Sequence, residues 1–208
     1  SLSTFCTWLV YKRKIGTSPV SRFIRPAHVR RLPRPISGEE LARVLAKTKD
    51  LGSEAYAVIY LMAGIGLRCC EVLALDVSNL SDGSLLICGK GKKERRIPLP
   101  KPIEEALGVY LREGGIESGP MFRSWSDFRM QEWELKKLII RVSGYSGVQF
   151  TAHRLRHTFA TRYLEAGGSI EALKELLGHT SIATTMLYVK VAVDKLRPSL
   201  EKSLLTLL

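Results

Sequence analysis

The stretch TAHRLRHTFAT, residues 151–161, places an unusual amount of positive charge at the start of a predicted helix. Thr151 is a suitable N-cap, and four cationic or titratable side chains follow it: His153, Arg154, Arg156 and His157. A helix N-terminus is the positive end of the macrodipole, so its first turn usually carries acidic or hydroxyl side chains. The basic pattern becomes favourable when free backbone N–H groups and cations converge on a bound anion. We therefore predict an anion-binding site at this helix start.

Arg156 is a charged residue on the apolar side of the same helix, where burial of its side chain is unfavourable. A helical wheel groups it with Leu155, Phe159, Tyr163 and Ala166. A lone buried charge is costly, so the guanidinium needs either a carboxylate partner or a bound anion, and both remain open. His153 and His157 have the i, i+4 spacing of a helical zinc site. No glutamate stands between them as in HExxH, and arginines flank them, so we expect no metal.

Two other motifs place charged side chains at turns. GLRCCE, residues 66–71, puts Arg68 at a helix start with Glu71 one turn on, where the carboxylate can hold the guanidinium. GKGKKERRIPL, residues 89–99, puts Lys90 at the tip of a predicted hairpin. This string lacks the spacing of a phosphate-binding P-loop, and a solvated basic turn is the alternative interpretation.

His179 and Tyr188 lie further along the chain. The helix predicted over 170–177 starts at a Ser169 cap and ends at Gly178, which suits a left-handed position after a helix. His179 follows directly, where the chain must turn. Tyr188 lies two to three turns along the next predicted helix, where a tyrosine is usually a packing residue. Neither residue identifies a site by itself.

The elements that must position these residues indicate a mainly α fold with a small antiparallel β-sheet, the α+β class. The convincing strand pair is 84–89 with 95–99, and 120–124 is a candidate short edge strand. Ser37 and Glu40 have capping-box spacing at the start of a helix. Further helices are predicted over 53–63, 68–75, 101–113, 126–143, 152–166, 170–177 and 182–190.

Charge divides the chain unevenly. It has 208 residues and a formal net charge of +12, yet no acidic residue precedes Glu39. Such a balance favours a nucleic-acid partner, with a solvated basic tail as the alternative. We predict three parts: a helix and basic linker over 1–32, a main domain over 33–193, and an apolar C-terminal stripe over 194–208.

Other features narrow the class of protein. The four cysteines form no CxxC pair, so we expect buried, reduced thiols in a cytoplasmic protein. The longest apolar run, 55–67, is too short to cross a bilayer and contains two glycines, so we expect it in the core and no membrane partner.

Four motifs, taken in order, resemble the tyrosine recombinase (phage integrase-type) family, most closely its Xer-type branch. They are GLRxxE (66–71), GKGxKERxxPL (89–99), HxLRHTFAT (153–161) and LLGHxSIxTTxxY (176–188). Each motif is weak alone, but four in the right order, with His179 and Tyr188 nine residues apart, are specific. The similarity covers about 33–193 and implies a tyrosine recombinase catalytic domain, with a DNA phosphate as the anion.

The resemblance implies a phosphate clamp. Arg68 and Arg156 would bind the non-bridging phosphate oxygens and stabilise charge that grows in the transition state. Glu71 would support the clamp by holding Arg68. His179 would add a hydrogen bond to the same oxygens.

It also implies the residues that move protons. Tyr188 would be the nucleophile, and His153 would help position the phosphate and accept the phenol proton. Lys90 would protonate the departing 5′ oxygen. The expected product is a 3′-phosphotyrosyl link and a free 5′-hydroxyl, formed without metal, ATP or any other cofactor.

The implied partner is double-stranded DNA, in a cytoplasmic, nucleoid-associated protein. Residues 1–32 would be the last helix and linker of a truncated core-binding domain, and 194–208 would contact a neighbouring protomer in a tetramer on paired DNA sites. Activation by an accessory protein stays open. Contacts to the DNA backbone are expected from Arg30, Arg31, Arg34, Lys92, Lys93 and Arg154.

Two other functions remain as alternatives. Residues 159–188 mimic a helix-turn-helix, which would suit a non-catalytic DNA-binding module. Such a module has no need for Arg68, Lys90 and Tyr188 in this spacing. A type IB topoisomerase would share the chemistry but relax DNA without strand exchange, and the protomer-contacting segment argues against it. Chromosome-dimer resolution and the integration of phages, plasmids or transposons are not distinguished.

Overall fold

A computed structural model describes residues 2–20, 34–89, 94–179, 185–186 and 188–189. The chain divides into two compact units, Ser1–Leu32 and Pro33–Leu208. The first unit contains helix α1 (Leu2–Tyr11). The roles that the sequence suggests for 1–32 and for 194–208 stay predictions, and 194–208 lies outside the described residues.

The second unit is mainly helical, as predicted. Its helices are α2 (Gly38–Lys49), α3 (Ser53–Gly64), α4 (Cys69–Leu73), α5 (Lys101–Glu113), α6 (Glu132–Ser146), α7 (Ala152–Glu165) and α8 (Ile170–Leu177). Residues 185–186 and 188–189 are helical as well. Within the described ranges, none of these helices combines the length and hydropathy that crossing a bilayer requires.

Helix α3 lies at the centre of the core. Its sequence is apolar around most of its circumference, which is typical of a helix covered on all sides. It packs against α2, α5 and α7. Side chains such as Val58, Ile59, Leu61 and Met62 are completely buried. The prediction that the run 55–67 forms core is therefore confirmed.

The sheet has three antiparallel strands in the order β1 (Leu80–Ser81), β2 (Ser84–Cys88) and β3 (Glu94–Pro98). The predicted β2–β3 hairpin is confirmed, with Leu85 opposite Ile97 and Ile87 opposite Arg95.

The prediction of an edge strand at 120–124 is wrong, because β1 occupies the edge of the sheet. This segment makes only isolated bridges, which join Asp76 to Pro120 and Arg123 to Arg129. The consecutive residues Met121 and Phe122 are both buried, and a strand with one buried face cannot bury two neighbours in this way.

The helix predicted over 126–143 begins later and ends later than expected. A tight turn precedes it, in which the Asp127 N–H donates to the Ser124 carbonyl and Asp127 has φ +64°. Helix α6 therefore begins at Glu132, and the Gln131 N–H donates to the Glu134 carboxylate at 2.7 Å.

Caps fix where α7 and α8 begin and where α8 ends, and so where the site residues lie along the chain. The Arg154 N–H donates to Thr151 Oγ1 at 3.2 Å, and the Ala172 N–H donates to Ser169 Oγ at 3.1 Å. Gly178 ends α8 at φ +59°, the left-handed region that glycine adopts at low cost. Both predicted caps and the predicted glycine stop are confirmed.

Candidate active site

A cleft beside α4, the β2–β3 hairpin, α7 and the end of α8 brings together residues that are far apart in sequence. Six of the residues predicted to do chemistry line it: Arg68, Glu71, His153, Arg156, His179 and Tyr188. The cleft therefore joins three of the four sequence motifs, together with part of the hairpin motif.

Glu71 is the buried carboxylate of this cleft, with 4% of its surface exposed. Its Oε1 accepts from Arg68 Nη1 at 2.7 Å, and its Oε2 accepts from the Arg68 backbone N–H at 2.9 Å. Burial raises the pKa of Glu71, but hydrogen bonds and charges from Arg95 and Arg68 outweigh it, so the pKa lies below its usual value. The carboxylate is therefore ionised at neutral pH and holds Arg68, as the sequence suggested.

Arg156 is buried on the inner side of α7, with 4% of its surface exposed. Its Nη1 donates to the Gly66 carbonyl and its Nη2 donates to the Leu177 carbonyl, both at 2.6 Å. Its Nη1 also lies 3.7 Å from Glu71 Oε2. Burial and then the nearby charge of Arg68 lower the pKa of Arg156 to about 10, which leaves it charged at neutral pH.

The His179 ring lies between the guanidinium of Arg156 and the hydroxyl of Thr185. Its Nε2 lies 3.1 Å from Arg156 Nη2, and its Nδ1 lies 2.9 Å from Thr185 Oγ1. Arginine can only donate, so Nε2 must accept and the ring proton is on Nδ1. Burial, Arg156 and Arg68 lower the pKa of His179 to about 4, so the imidazole is neutral at pH 7.

Tyr188 is packed into the small apolar cluster between α7 and α8, and 4% of its surface is exposed. Its ring centroid lies 5.1 Å from that of His157 and 6.3 Å from that of His179. Burial raises the pKa of Tyr188 above its usual value, and the charges of Arg156 and Arg68 only partly offset this. The phenol is therefore protonated at neutral pH.

Three arginines bind the C-terminal end of α8, a geometry that the sequence did not suggest. Successive carbonyls of Leu176, Leu177 and Gly178 accept from Arg95 Nε at 2.9 Å, Arg156 Nη2 at 2.6 Å and Arg68 Nη2 at 3.5 Å, respectively. The last carbonyls of a helix lack intrahelical donors and form the negative end of its dipole. The end of α8 and Glu71 therefore act together as the counter-charge of this cationic cluster.

The structure adds cleft residues that sequence reasoning missed, notably Arg95 and Lys174. Arg95 shares a face of β3 with buried Ile97, and buried Leu99 continues this alternation just beyond the strand, which was the signal that could have found Arg95. The prediction that the cysteines are buried is wrong for Cys70 and Cys88, which are exposed and line the cleft. In each case the preceding residue packs in or against the core instead: Cys69 before Cys70, and Ile87 before Cys88.

Other predicted residues lie elsewhere. The guanidinium of Arg154 donates to the carbonyls of Arg34 and Gln149, so it bridges the start of α7 to the chain that precedes α2. Arg34 is exposed. The remaining predicted residues lie outside the described residues: Arg30, Arg31, Lys90, Lys92 and Lys93.

Chemically, the cleft suits a singly charged phosphodiester. The side chain of Arg68 is 38% exposed and keeps donors that can reach a ligand, whereas Arg156 is almost completely buried. His153 is an exposed imidazole on the same cleft wall. A phenol, an imidazole and fixed guanidiniums can supply the nucleophile, the proton acceptor and the charge stabilisation for displacement at phosphorus.

Known proteins are similar to this chain in sequence and in fold. Residues 34–195 match the model of the Phage integrase family. Tyrosine recombinase XerA of Thermococcus kodakarensis is 34% identical over 200 residues, which cover 93% of this chain and 71% of that protein. Tyrosine recombinase XerC of Vibrio cholerae is 32% identical over 205 residues, which cover 90% and 64%. The chain thus spans about two thirds of the length of these relatives.

Solved structures of tyrosine recombinases have a similar fold. The crystal structure of XerA recombinase matches with a TM-score of 0.74 at 23% identity, covering 94% of this chain and 80% of that one. XerH recombinase, in a post-cleavage complex with its palindromic difH substrate, matches with a TM-score of 0.73 at 24% identity, covering 84% and 54%. The fold is that of a tyrosine recombinase catalytic domain. The chain belongs to the phage integrase family.

Proposed function

We propose that this chain is the catalytic domain of a site-specific DNA recombinase that cleaves and rejoins strands through a 3′-phosphotyrosyl intermediate. The observation that carries the proposal is that Arg68, Arg156, His153 and His179 line the same cleft as buried Tyr188. This combination suits the proposed reaction, because it supplies cations to bind a phosphate and a phenol to attack it.

In the proposed reaction, the Tyr188 oxygen attacks phosphorus and the bond from phosphorus to the 5′ oxygen breaks. The phenol proton passes to His153, and Lys90 gives a proton to the departing 5′ oxygen. The reverse attack by a 5′-hydroxyl rejoins the strand. Because one phosphodiester replaces another, the reaction needs no ATP, and the protein's own cations can stabilise the charge without a metal.

The main energetic obstacle is the nucleophile. A tyrosine with its usual pKa near 10 is ionised to only about 0.1% at pH 7, and burial of Tyr188 raises the pKa further. The phenol therefore needs a proton acceptor at the moment of attack. His153 is the imidazole of the cleft that is free of the contacts that fix His179, so we assign this role to His153.

The proposed substrate is double-stranded DNA; among the similar structures, XerH is bound to its palindromic difH substrate. Basic side chains outside the cleft would contact its backbone: Arg30, Arg31, Arg34, Lys92, Lys93 and Arg154. We also propose a tetramer on paired sites, joined through 194–208, in the cytoplasm at the nucleoid. Activation by an accessory protein would be a further partner interaction.

The test is formation of a covalent adduct with DNA. Wild type, Tyr188→Phe and the control Tyr145→Phe are each incubated with a pool of nicked random-sequence duplexes and run on a denaturing gel. Tyr145 is a suitable control because it is an exposed tyrosine on α6. We expect an adduct from wild type and Tyr145→Phe and none from Tyr188→Phe.

The alternatives predict other results. DNA binding without any adduct would favour the non-catalytic binding module. A Tyr188-dependent adduct with relaxation of supercoils, but without joining of strands between two duplexes, would favour a type IB topoisomerase.

A further inference from the structure

Arg95 is a charged residue on the inner face of a strand. It lies next to the hairpin turn, and its side chain is 12% exposed. Its neighbour Arg96 points to the opposite face, where Nη1 donates to the exposed Ser81 hydroxyl at 2.9 Å. The two arginines are adjacent and carry the same charge, but only Arg95 is directed into the protein.

The guanidinium of Arg95 joins three elements. Its Nη1 donates to Glu71 Oε1 at 3.1 Å, and its Nη2 lies 3.0 Å from Glu71 Oε2. Its Nε donates to the Leu176 carbonyl at 2.9 Å. Arg95 therefore ties β3 to α4 through a two-point contact and to the last turn of α8 through the third. The fork geometry of arginine is required, because lysine presents a single point of charge.

Arg95 lies so close to Gly178 that only glycine fits at this position without a shift of its neighbours. A Cβ at Gly178 would lie 3.0 Å from Arg95 Nη1, so a side chain there would displace the guanidinium or the turn. Gly178 immediately precedes His179. The position of the imidazole is thus coupled through one residue to the position of Arg95.

Arg95 does not itself bind the substrate in this arrangement. One carboxylate, Glu71, pairs with the three guanidiniums of Arg68, Arg95 and Arg156, so these four side chains together keep two positive charges. Arg95 Nε and Nη1 donate to Leu176 and Glu71, and its Nη2 is buried, whereas Arg68 is more exposed. Removing Arg95 would free Glu71 to take up the donors of Arg68 that face the cleft.

We propose that Arg95 is a positioning residue of the cleavage reaction: by holding Glu71 and the end of α8, it orients the Arg68 guanidinium and the His179 ring for phosphate. The role rests on the proposed function, since it concerns the same cleft. It is distinct from phosphate binding, because Arg95 acts only through Glu71, Leu176 and Gly178.

The first experiment compares Arg95→Gln and Arg95→Lys with the control Arg96→Gln. Single-turnover formation of the covalent adduct and affinity for the duplex pool are measured for each. We expect Arg95→Gln to slow adduct formation about 10- to 100-fold, the loss typical when a partner that orients a site group is removed. Its affinity for DNA should change no more than that of Arg96→Gln, which loses the same charge. Arg95→Lys should remain slow.

Equal rates for Arg95→Gln and Arg96→Gln would overturn the proposal. So would full recovery in Arg95→Lys, because charge alone would then be sufficient. Circular dichroism checks that each variant is folded. If Arg95→Gln does not fold, Arg95→Lys is compared with Arg96→Gln instead.

A second experiment does not depend on catalysis. The His179 ring is titrated by NMR in histidine-labelled protein, and its signal is assigned with His179→Gln. The groups that face it are Arg156, Arg68, Arg95, Glu71 and Tyr188. We expect the pKa of His179 to rise towards its usual value in Arg95→Gln and in Arg95→Lys, because the turn loses its support, and to stay unchanged in Arg96→Gln.

The two experiments separate the two proposals. If wild type forms no adduct but the His179 titration moves only in the Arg95 variants, the proposed function fails, whereas the support that Arg95 gives to the His179 ring stands. If the titration is identical in all variants, or if Arg95→Lys restores it, the positioning role fails whatever the adduct assay gives.

Discussion

Replacement of Arg156 by alanine should separate its structural role from that of Arg68. In the folded protein, Arg156 donates to two buried carbonyls and to His179, and it lies 3.7 Å from buried Glu71. Its removal leaves these acceptors without that donor in a site that water reaches poorly. Breaking such a buried charged contact costs about 3–5 kcal/mol. Arg68→Ala should cost about 1 kcal/mol, because Arg68 is partly exposed and Arg95 still pairs with Glu71.

Urea unfolding followed by circular dichroism measures this difference. All three tryptophans are exposed, so their fluorescence would report unfolding poorly. With a urea dependence of about 2 kcal/mol per molar, Arg156→Ala should lower the midpoint by about 2 M and Arg68→Ala by about 0.5 M. Both variants should lose adduct formation while retaining most of their affinity for DNA. Equal midpoints for the two variants would refute the structural role assigned to Arg156.

Two further predictions concern residues that support the cleft. Gly66 has φ +70°, and a Cβ there would lie 2.4 Å from Phe159, whereas Gly115 has φ +61° and open space around it. Gly115→Ala should therefore cost about 1 kcal/mol through backbone strain, and Gly66→Ala about 1–3 kcal/mol more, measured by the same urea unfolding. For His179, burial and the nearby arginines lower the pKa from 6.5 to about 4, so between these pH values the unfolded chain binds a proton that the folded protein does not. The free energy of unfolding should therefore fall as the pH drops from 6.5 towards 4. The fall should be less than about 1.4 kcal/mol per pH unit, because the ring is partly exposed. A pH series of urea midpoints measures it, and the same slope in His179→Gln as in wild type would contradict the prediction.

Local signals in the sequence predicted much of the fold. Thr151, Ser169 and the pair Ser37 and Glu40 act through contacts within one helical turn, so their caps could be inferred without the tertiary structure. The error at 120–124 has a different origin. Met121 and Phe122 are apolar in a short run, and such a run suits either a strand or an irregular segment that fills the core. Only the neighbouring elements decide between these outcomes.

The partners of the site residues could be inferred only in part. Pairing of Arg68 with Glu71 follows from their separation of one turn. The partners of Arg156 do not, because Gly66 and Leu177 are 90 and 21 residues away and contribute backbone carbonyls, which every residue has. Arg95 was missed for the same reason. Sequence shows that a buried guanidinium must be neutralised, but it does not show which helix end will do so.

These contacts also determine what binding of the proposed phosphate would change. His179 now accepts from Arg156 through Nε2, and to donate to a phosphate oxygen it needs a proton on that nitrogen. The Thr185 hydroxyl can donate as well as accept, so it can remain bound to Nδ1 when the proton moves to Nε2. A phosphate would also draw Arg156 Nη2 away from the ring and raise the pKa of His179. The neutral histidine would thus become a donor to phosphate only when the phosphate is bound, and the Gly66 carbonyl would still hold Arg156 through Nη1.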